Sequence, residues 1–132
     1  MRFELGTDQM KNNRNDFNQC TALIFELLYQ EFPRETDVFV DDLVEPLDDE
    51  MADNYFATIR FLQREGLIRY EKLYFSTFNG MVFTAKGLQI MDTISYIIKP
   101  EQTMAQQISN ALEEDNKQAI NRVIQEIIKL TG

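Results

Sequence analysis

The densest run of chemically capable side chains is Asp41-Asp42-Leu43-Val44-Glu45-Pro46-Leu47-Asp48-Asp49-Glu50, with six carboxylates in ten residues. Clustered carboxylates are the raw material of acid–base hydrolysis and of hard-cation binding. A calcium loop, however, needs oxygen ligands at alternate positions and a central glycine, and the run has neither. Carboxylates that open a helix are held ionised by the positive end of its dipole, so they are poor proton donors. Helix capping and solvated charge account for the run, and a hydrolase working through Asp48 and Asp49 is the weakest of three functional classes. The chain has no histidine and a single cysteine, Cys20. Imidazole catalysis, histidine-containing zinc sites and internal disulfides are thereby excluded. Cys20 lies in an apolar helical pattern and is expected to be a buried, inert thiol. We expect no catalytic residue, no bound metal and no cofactor.

A second constellation is cationic and aromatic. Arg60 and Arg64 flank Phe61 in a segment expected to be helical from about Asp48 to Glu65, capped by Asp48 and stopped by Gly66. At about 100° per residue, Met51, Tyr55, Ile59 and Leu62 share the core face, with Ala52 and Phe56 beside it. Asp53, Ala57, Arg60, Arg64 and Phe61 fall opposite. An aromatic between two arginines on a nominally solvated face is a combination enriched at protein interfaces.

Charge is segregated along the chain. The formal net charge is −9, yet residues 31–53 alone carry ten acids and one base, whereas residues 54–99 carry six bases and three acids. The acidic character therefore belongs to one segment, and binding must be argued locally. With 132 residues and 44% hydrophobic content, the chain suits one small globular domain. No apolar run reaches the roughly 20 residues that span a bilayer, and the N-terminus lacks a signal-peptide core, so a cytoplasmic location with no membrane contact is expected.

These side chains need elements to position them. Residues 1–15 are polar and Asn-rich and read as a loose arm. Asn15 or Asp16 caps a first helix with Phe17, Cys20, Ile24, Leu27 and Leu28 on one face, ended by Phe32-Pro33. Val38-Phe39-Val40 reads as a short edge strand, and a turn of helix is expected near Asp42–Glu45. After Gly66, Leu67–Phe75 and Met81–Thr84 read as a β-hairpin about a tight Asn79-Gly80 turn. A helix from Ala85 to about Ile97 follows, closed by Lys99-Pro100. Beyond Glu101, two short helices fold back on each other at Glu113-Glu114-Asp115-Asn116. Their isoleucines Ile120, Ile124, Ile127 and Ile128 either complete the core or form a symmetric dimer contact.

Three phrases then carry a resemblance: Phe61-Leu62-Gln63-Arg64-Glu65-Gly66-Leu67-Ile68, Phe83-Thr84-Ala85-Lys86-Gly87-Leu88, and the leading helix Phe17 to Leu28. Together with the element order they resemble the winged helix-turn-helix domain, as found in small bacterial proteins with a helical C-terminal tail. The resemblance implies an α+β, mostly α fold: a three-helix core plus a β-hairpin wing over residues 16–99, with a helical extension over 100–132. It implies nothing specific about activity, because winged helices serve both DNA and protein partners.

In DNA-binding members the helix matching Asp48–Glu65 would enter the major groove. Here its first turns carry Asp48, Asp49, Glu50 and Asp53, which a polyanion repels. From Leu73 through Ala85 the wing has no charged residue to grip phosphate; it offers Tyr74, Phe75, Phe78, Met81 and Phe83 instead. The favoured reading is a non-enzymatic protein-interaction or regulatory module that meets a protein partner, or itself as a homodimer, through Arg60, Phe61, Arg64, Tyr74 and Phe78. The alternative is a DNA-binding transcriptional regulator using Arg60, Arg64, Arg69, Lys72 and Lys86.

Overall fold

Apolar residues at three- and four-residue spacing make the leading segment a helix, and in the structure it is long: α1 spans Arg2–Glu31. The structure is a computed structural model that describes the backbone of residues 2–95 and 101–132 and the side chains of 13–95 and 101–132. The expected arm is thus helical in backbone from Arg2, and Asn15 and Asp16 lie inside the helix rather than capping it. Asp16 instead accepts a hydrogen bond from Asn54 Nδ2 at 2.8 Å. Cys20, Ile24 and Leu28 are buried as their spacing requires, with Phe25 beside them.

Strand β1 (Thr36–Phe39) leads through a single 3-10 turn at Val40–Asp42 to α2 (Asp49–Arg64). Asp48 caps α2 by accepting from the Met51 amide at 2.8 Å, and Gly66 follows the helix at φ +78°. Tyr55, Ile59 and Leu62 are buried, as the projection requires, while Asp53, Ala57, Arg60 and Arg64 are exposed. β2 (Ile68–Arg69) and β3 (Lys72–Tyr74) both pair antiparallel with β4 (Thr77–Phe83), and β1 pairs with β4 along its other edge.

The hairpin turn is not where the sequence suggests. Tyr74 pairs with Thr77, so the two-residue loop is Phe75-Ser76, at φ 48° and 64°. Positive φ at both positions is the type I′ pattern, for which Asn-Gly is the usual choice. Asn79-Gly80 lies within β4 instead. There four β4 residues (Phe78 to Met81) run alongside three of β1 (Thr36 to Val38), and Gly80 takes φ +68° at this bulge. The physical reason is the inner face. The observed register sets Leu73 against Phe78 and Ile68 against Phe83, and the Tyr70 ring packs edge-on to Phe78 at 4.8 Å. A turn at Asn79-Gly80 would shift every pair and set Ser76 opposite Phe83. Each large apolar side chain kept buried is worth about 1.5–3 kcal/mol, more than the strain of one left-handed residue, about 1–2 kcal/mol.

Helix α3 (Ala85–Met91) starts at Thr84, whose Oγ1 accepts from the Gly87 amide at 3.0 Å and donates to the Gly66 carbonyl at 2.6 Å. A Cβ on Gly87 would overlap the Leu67 carbonyl oxygen, so this glycine lets α3 lie directly on the root of the hairpin. The helix stops at Met91, six residues short of the expected end at Ile97. β5 (Ile94–Ser95) pairs instead with β6 (Gln102–Thr103), and the Thr93 carbonyl accepts from the Met104 amide at 2.9 Å. The β-branched Thr93-Ile94 favours this extended course over another helical turn. The expected stop at Lys99-Pro100 lies outside the described residues.

α4 (Met104–Glu113) opens with a Thr103/Gln106 capping box, and α5 (Lys117–Thr131) opens with Asn116 accepting from the Ala119 amide. They fold back on each other at Glu114-Asp115-Asn116, with Asp115 at φ 52°. Met104, Ile108, Ile120, Val123, Ile124 and Ile127 are buried in the same apolar cluster as α1, α2 and the sheet. Ile120, Ile124 and Ile127 therefore complete this chain's own core and present no dimer face, whereas Ile128 is half-buried. The result is an α+β, mostly helical fold with a small antiparallel sheet. No described helix is long and apolar enough to cross a membrane.

Candidate interaction surfaces

The anticipated aromatic and arginine residues divide between two separate places. On α2, Phe61 is 42% exposed and packs edge-on against Phe17 of α1, ring centroids 5.5 Å apart. The guanidinium of Arg14 sits 5.6 Å from the Phe17 ring centroid, a cation–π distance. These groups, with Asn13, Asn54, Ala57, Thr58 and Ile128 from α5, line an open cavity of about 450 Å³. Arg60 and Arg64 are exposed close by on α2. Among the described residues neither has an acidic partner within 4.0 Å, the one ion pair being Arg34–Glu31 at 3.4 Å.

The second place is the tip of the hairpin. Tyr74 is 60% exposed and Phe75 80%, with ring centroids 4.4 Å apart. Phe39 joins them, because Thr77 pairs with Phe39 on one side and Tyr74 on the other, and cross-strand partners share a face. Lys72 Nζ lies 5.6 Å from the Tyr74 ring centroid. The opposite face of the same strands, Val38, Phe78 and Leu73, is turned to the core.

Phe78, expected as the exposed anchor of the turn, is completely buried, packed against Phe56 of α2 at 5.7 Å and against Tyr70. The misplaced turn explains the error: with the loop at 75–76, Phe78 moves into the strand and Phe75 to the tip. Sequence reasoning missed Phe75 as a surface residue for that same reason, and checking which hairpin register pairs apolar with apolar would have found it. The outward face of Phe39 depends on the pairing of β1 with β4, a contact between distant segments. Nor do the two places merge. Phe56 faces the sheet, and Phe61, five positions on, lies about 140° around the helix, against α1.

The remaining candidates resolve simply. Asp41, Asp42, Glu45, Asp48, Asp49 and Glu50 are all exposed, and among the described residues no three Cys, Asp or Glu side chains converge as a metal site. Cys20 is buried, its Sγ 3.8 Å from the Tyr55 carbonyl that accepts from it, and burial with the nearby Asp16 charge pushes its thiol pKa well up. A nucleophile needs the opposite shift. Of the basic residues proposed for DNA, Arg60, Arg64, Arg69, Lys72 and Lys86 are exposed, but Lys72 lies against Tyr74 and Lys86 Nζ donates to the Glu65 carbonyl at 3.4 Å. Comparison with protein-family models, with curated proteins and with solved structures finds no match for this chain.

Proposed function

We propose that this chain is a winged-helix protein-interaction module without enzymatic activity, working in the cytoplasm as a regulatory or assembly component. In this reading α1, α2 and α3 are the helical core, the β2–β3/β4 hairpin is the wing, and α4 and α5 are the extension that closes the core. The observation that carries it is the pair Tyr74 and Phe75, large aromatics held in solvent at the wing tip. Exposed aromatic clusters in proteins of this size mark contact surfaces. The Phe61 cavity with Arg60 and Arg64 is a second, separate contact face.

The carboxylates at the start of α2 support the protein reading over the DNA one, since Asp48, Asp49, Glu50 and Asp53 would all be driven toward phosphate. Two measurements test this. A photo-crosslinking phenylalanine placed at Phe75 should give a discrete protein adduct in cells, whereas the same group at exposed Gln125 should give none. Random-sequence duplex DNA at low salt should not bind. Salt-sensitive binding that Arg64→Ala weakens, with no adduct from position 75, would overturn the proposal in favour of a DNA-binding regulator.

A further inference from the structure

The wing tip is built from residues poorly suited to making it. Phe75 and Ser76 both adopt left-handed backbone conformations, which a bulky aromatic rarely takes, while Asn79-Gly80 sits a few residues away in the strand. Phe75 gains little from burial in return, being 80% exposed. A side chain kept at a position where it opposes folding on both counts points to use outside the fold.

The surroundings of the tip state the chemistry of that use. The Val40 amide donates to the Ser76 carbonyl at 3.1 Å, which brings the exposed Asp41 and Asp42 beside the loop. Asp37 Oδ1 accepts from the Gly80 amide at 3.0 Å. The Glu35 and Glu71 carboxylates crowd the same glycine, each with an oxygen 3.2 Å from where a Cβ would stand. Asp41 and Asp42 thus stand at the loop itself, while Asp37, Glu35 and Glu71 continue the anionic edge along the strands toward Gly80. The exposed cations on these strands are Lys72, already laid over the Tyr74 ring, and Arg69, paired opposite Val82 at the far end from the tip. The patch is thus an aromatic centre in an anionic rim.

Resting on the interaction reading above, we propose that the wing tip, Phe39, Tyr74 and Phe75 within the rim of Asp37, Asp41, Asp42 and Glu71, docks a cationic apolar segment of a partner protein. The aliphatic side chains of that segment cover Phe39 and Phe75. Its Lys or Arg groups lie over the Tyr74 and Phe75 rings and reach the carboxylates, as Lys72 does on Tyr74. Nucleic acid and anionic membranes meet the same rim with repulsion.

The test uses the full chain and two fluorescent amphipathic peptides, one of leucine and lysine, the other of leucine and glutamate, at physiological ionic strength. The leucine–lysine peptide should bind, with backbone NMR shifts confined to residues 35–42 and 71–80. The double variant Phe75→Asn/Ser76→Gly leaves net charge unchanged and relieves the turn. It should raise Tm by roughly 3–6 °C while weakening peptide binding at least about tenfold. Asp41→Asn/Asp42→Asn should weaken it as well. The proposal is overturned if the aromatic double variant binds the leucine–lysine peptide undiminished, since the attraction would then be general polyanion charge. It is also overturned if the leucine–glutamate peptide, anionic vesicles or a second copy of the chain occupies the tip instead. If neither peptide binds yet position 75 still crosslinks to protein, the partner chemistry assigned here is wrong and the interaction reading stands. Loss of both removes both.

Discussion

Two dipeptides of the hairpin invite comparison. Asn79-Gly80 has the composition of a tight turn and lies in a strand; Phe75-Ser76 has the composition of a strand and forms the turn. The difference teaches that register in this hairpin is set by the face that must be buried. Phe78, Ile68, Phe83 and Leu73 meet partners only in the observed pairing. Glycine's freedom is then used to absorb the bulge against β1, and the strain moves to the tip, where the residues face solvent.

The comparison can be broken most severely at Phe78. Phe78→Ala should cost about 3–5 kcal/mol by urea denaturation, as for other fully buried aromatics, whereas Phe75→Ala should change stability by no more than about 0.5 kcal/mol. Equal effects at the two positions would mean that the turn lies at Asn79-Gly80 after all. Next in size is Gly87→Ala, which forces α3 off the Leu67 backbone and should cost about 3 kcal/mol. Thermal melts that match the unmodified protein would show that the helix does not approach the hairpin root as described.

Smaller effects sharpen the contrast between the two dipeptides. Gly80→Ala places a side chain at φ +68° between Glu35 and Glu71 and should cost about 1–2 kcal/mol. Relief of the tip by Phe75→Asn/Ser76→Gly should act in the opposite direction, stabilising by about 1 kcal/mol. Opposite signs from glycine removal and glycine insertion four residues apart are the signature of the displaced turn.

The pH dependence separates the interior from the tip. Burial raises the pKa of Cys20 and of Tyr55, and a hydrogen bond to Asp92 raises that of Tyr29. The folded chain therefore holds protons that the unfolded chain releases. Stability from these groups is fully present below their unfolded pKa values, about 8.5 for cysteine and about 10 for tyrosine, and is lost as pH rises beyond them. The urea midpoint should fall progressively above about pH 8.5, with Cys20→Ala flattening the first part of the decline. A thiol reagent should label Cys20 at the rate of unfolding; fast labelling of the native protein would contradict its burial.

Much of the fold is legible in local sequence where one periodicity or one cap decides. The core face of α2, its Asp48 cap and Gly66 stop, the Thr84–Gly87 entry to α3 and the two tail helices all follow from residues within a few positions of one another. The helix end at Met91 was not legible, because Thr93 and Ile94 leave the helix to pair across to β6, a partner with no local signal. The site was half legible: Arg60, Phe61, Arg64 and Tyr74 are on the surface as expected, but Phe78 and Phe75 exchange roles through a change of register.

By itself the sequence determined the charge segregation, the exclusion of histidine and disulfide chemistry, the core face and both ends of α2, and the presence of aromatics in an uncharged stretch from Leu73 through Ala85. Composition and short-range spacing carry all of these. Only the tertiary structure decided which aromatics are buried, that Ile120, Ile124 and Ile127 belong to this chain's core, and that carboxylates line the hairpin beside its exposed aromatic tip. Those outcomes depend on β1, β4 and α5 meeting across long stretches of chain. There, total buried apolar surface outweighs the preference of any single turn.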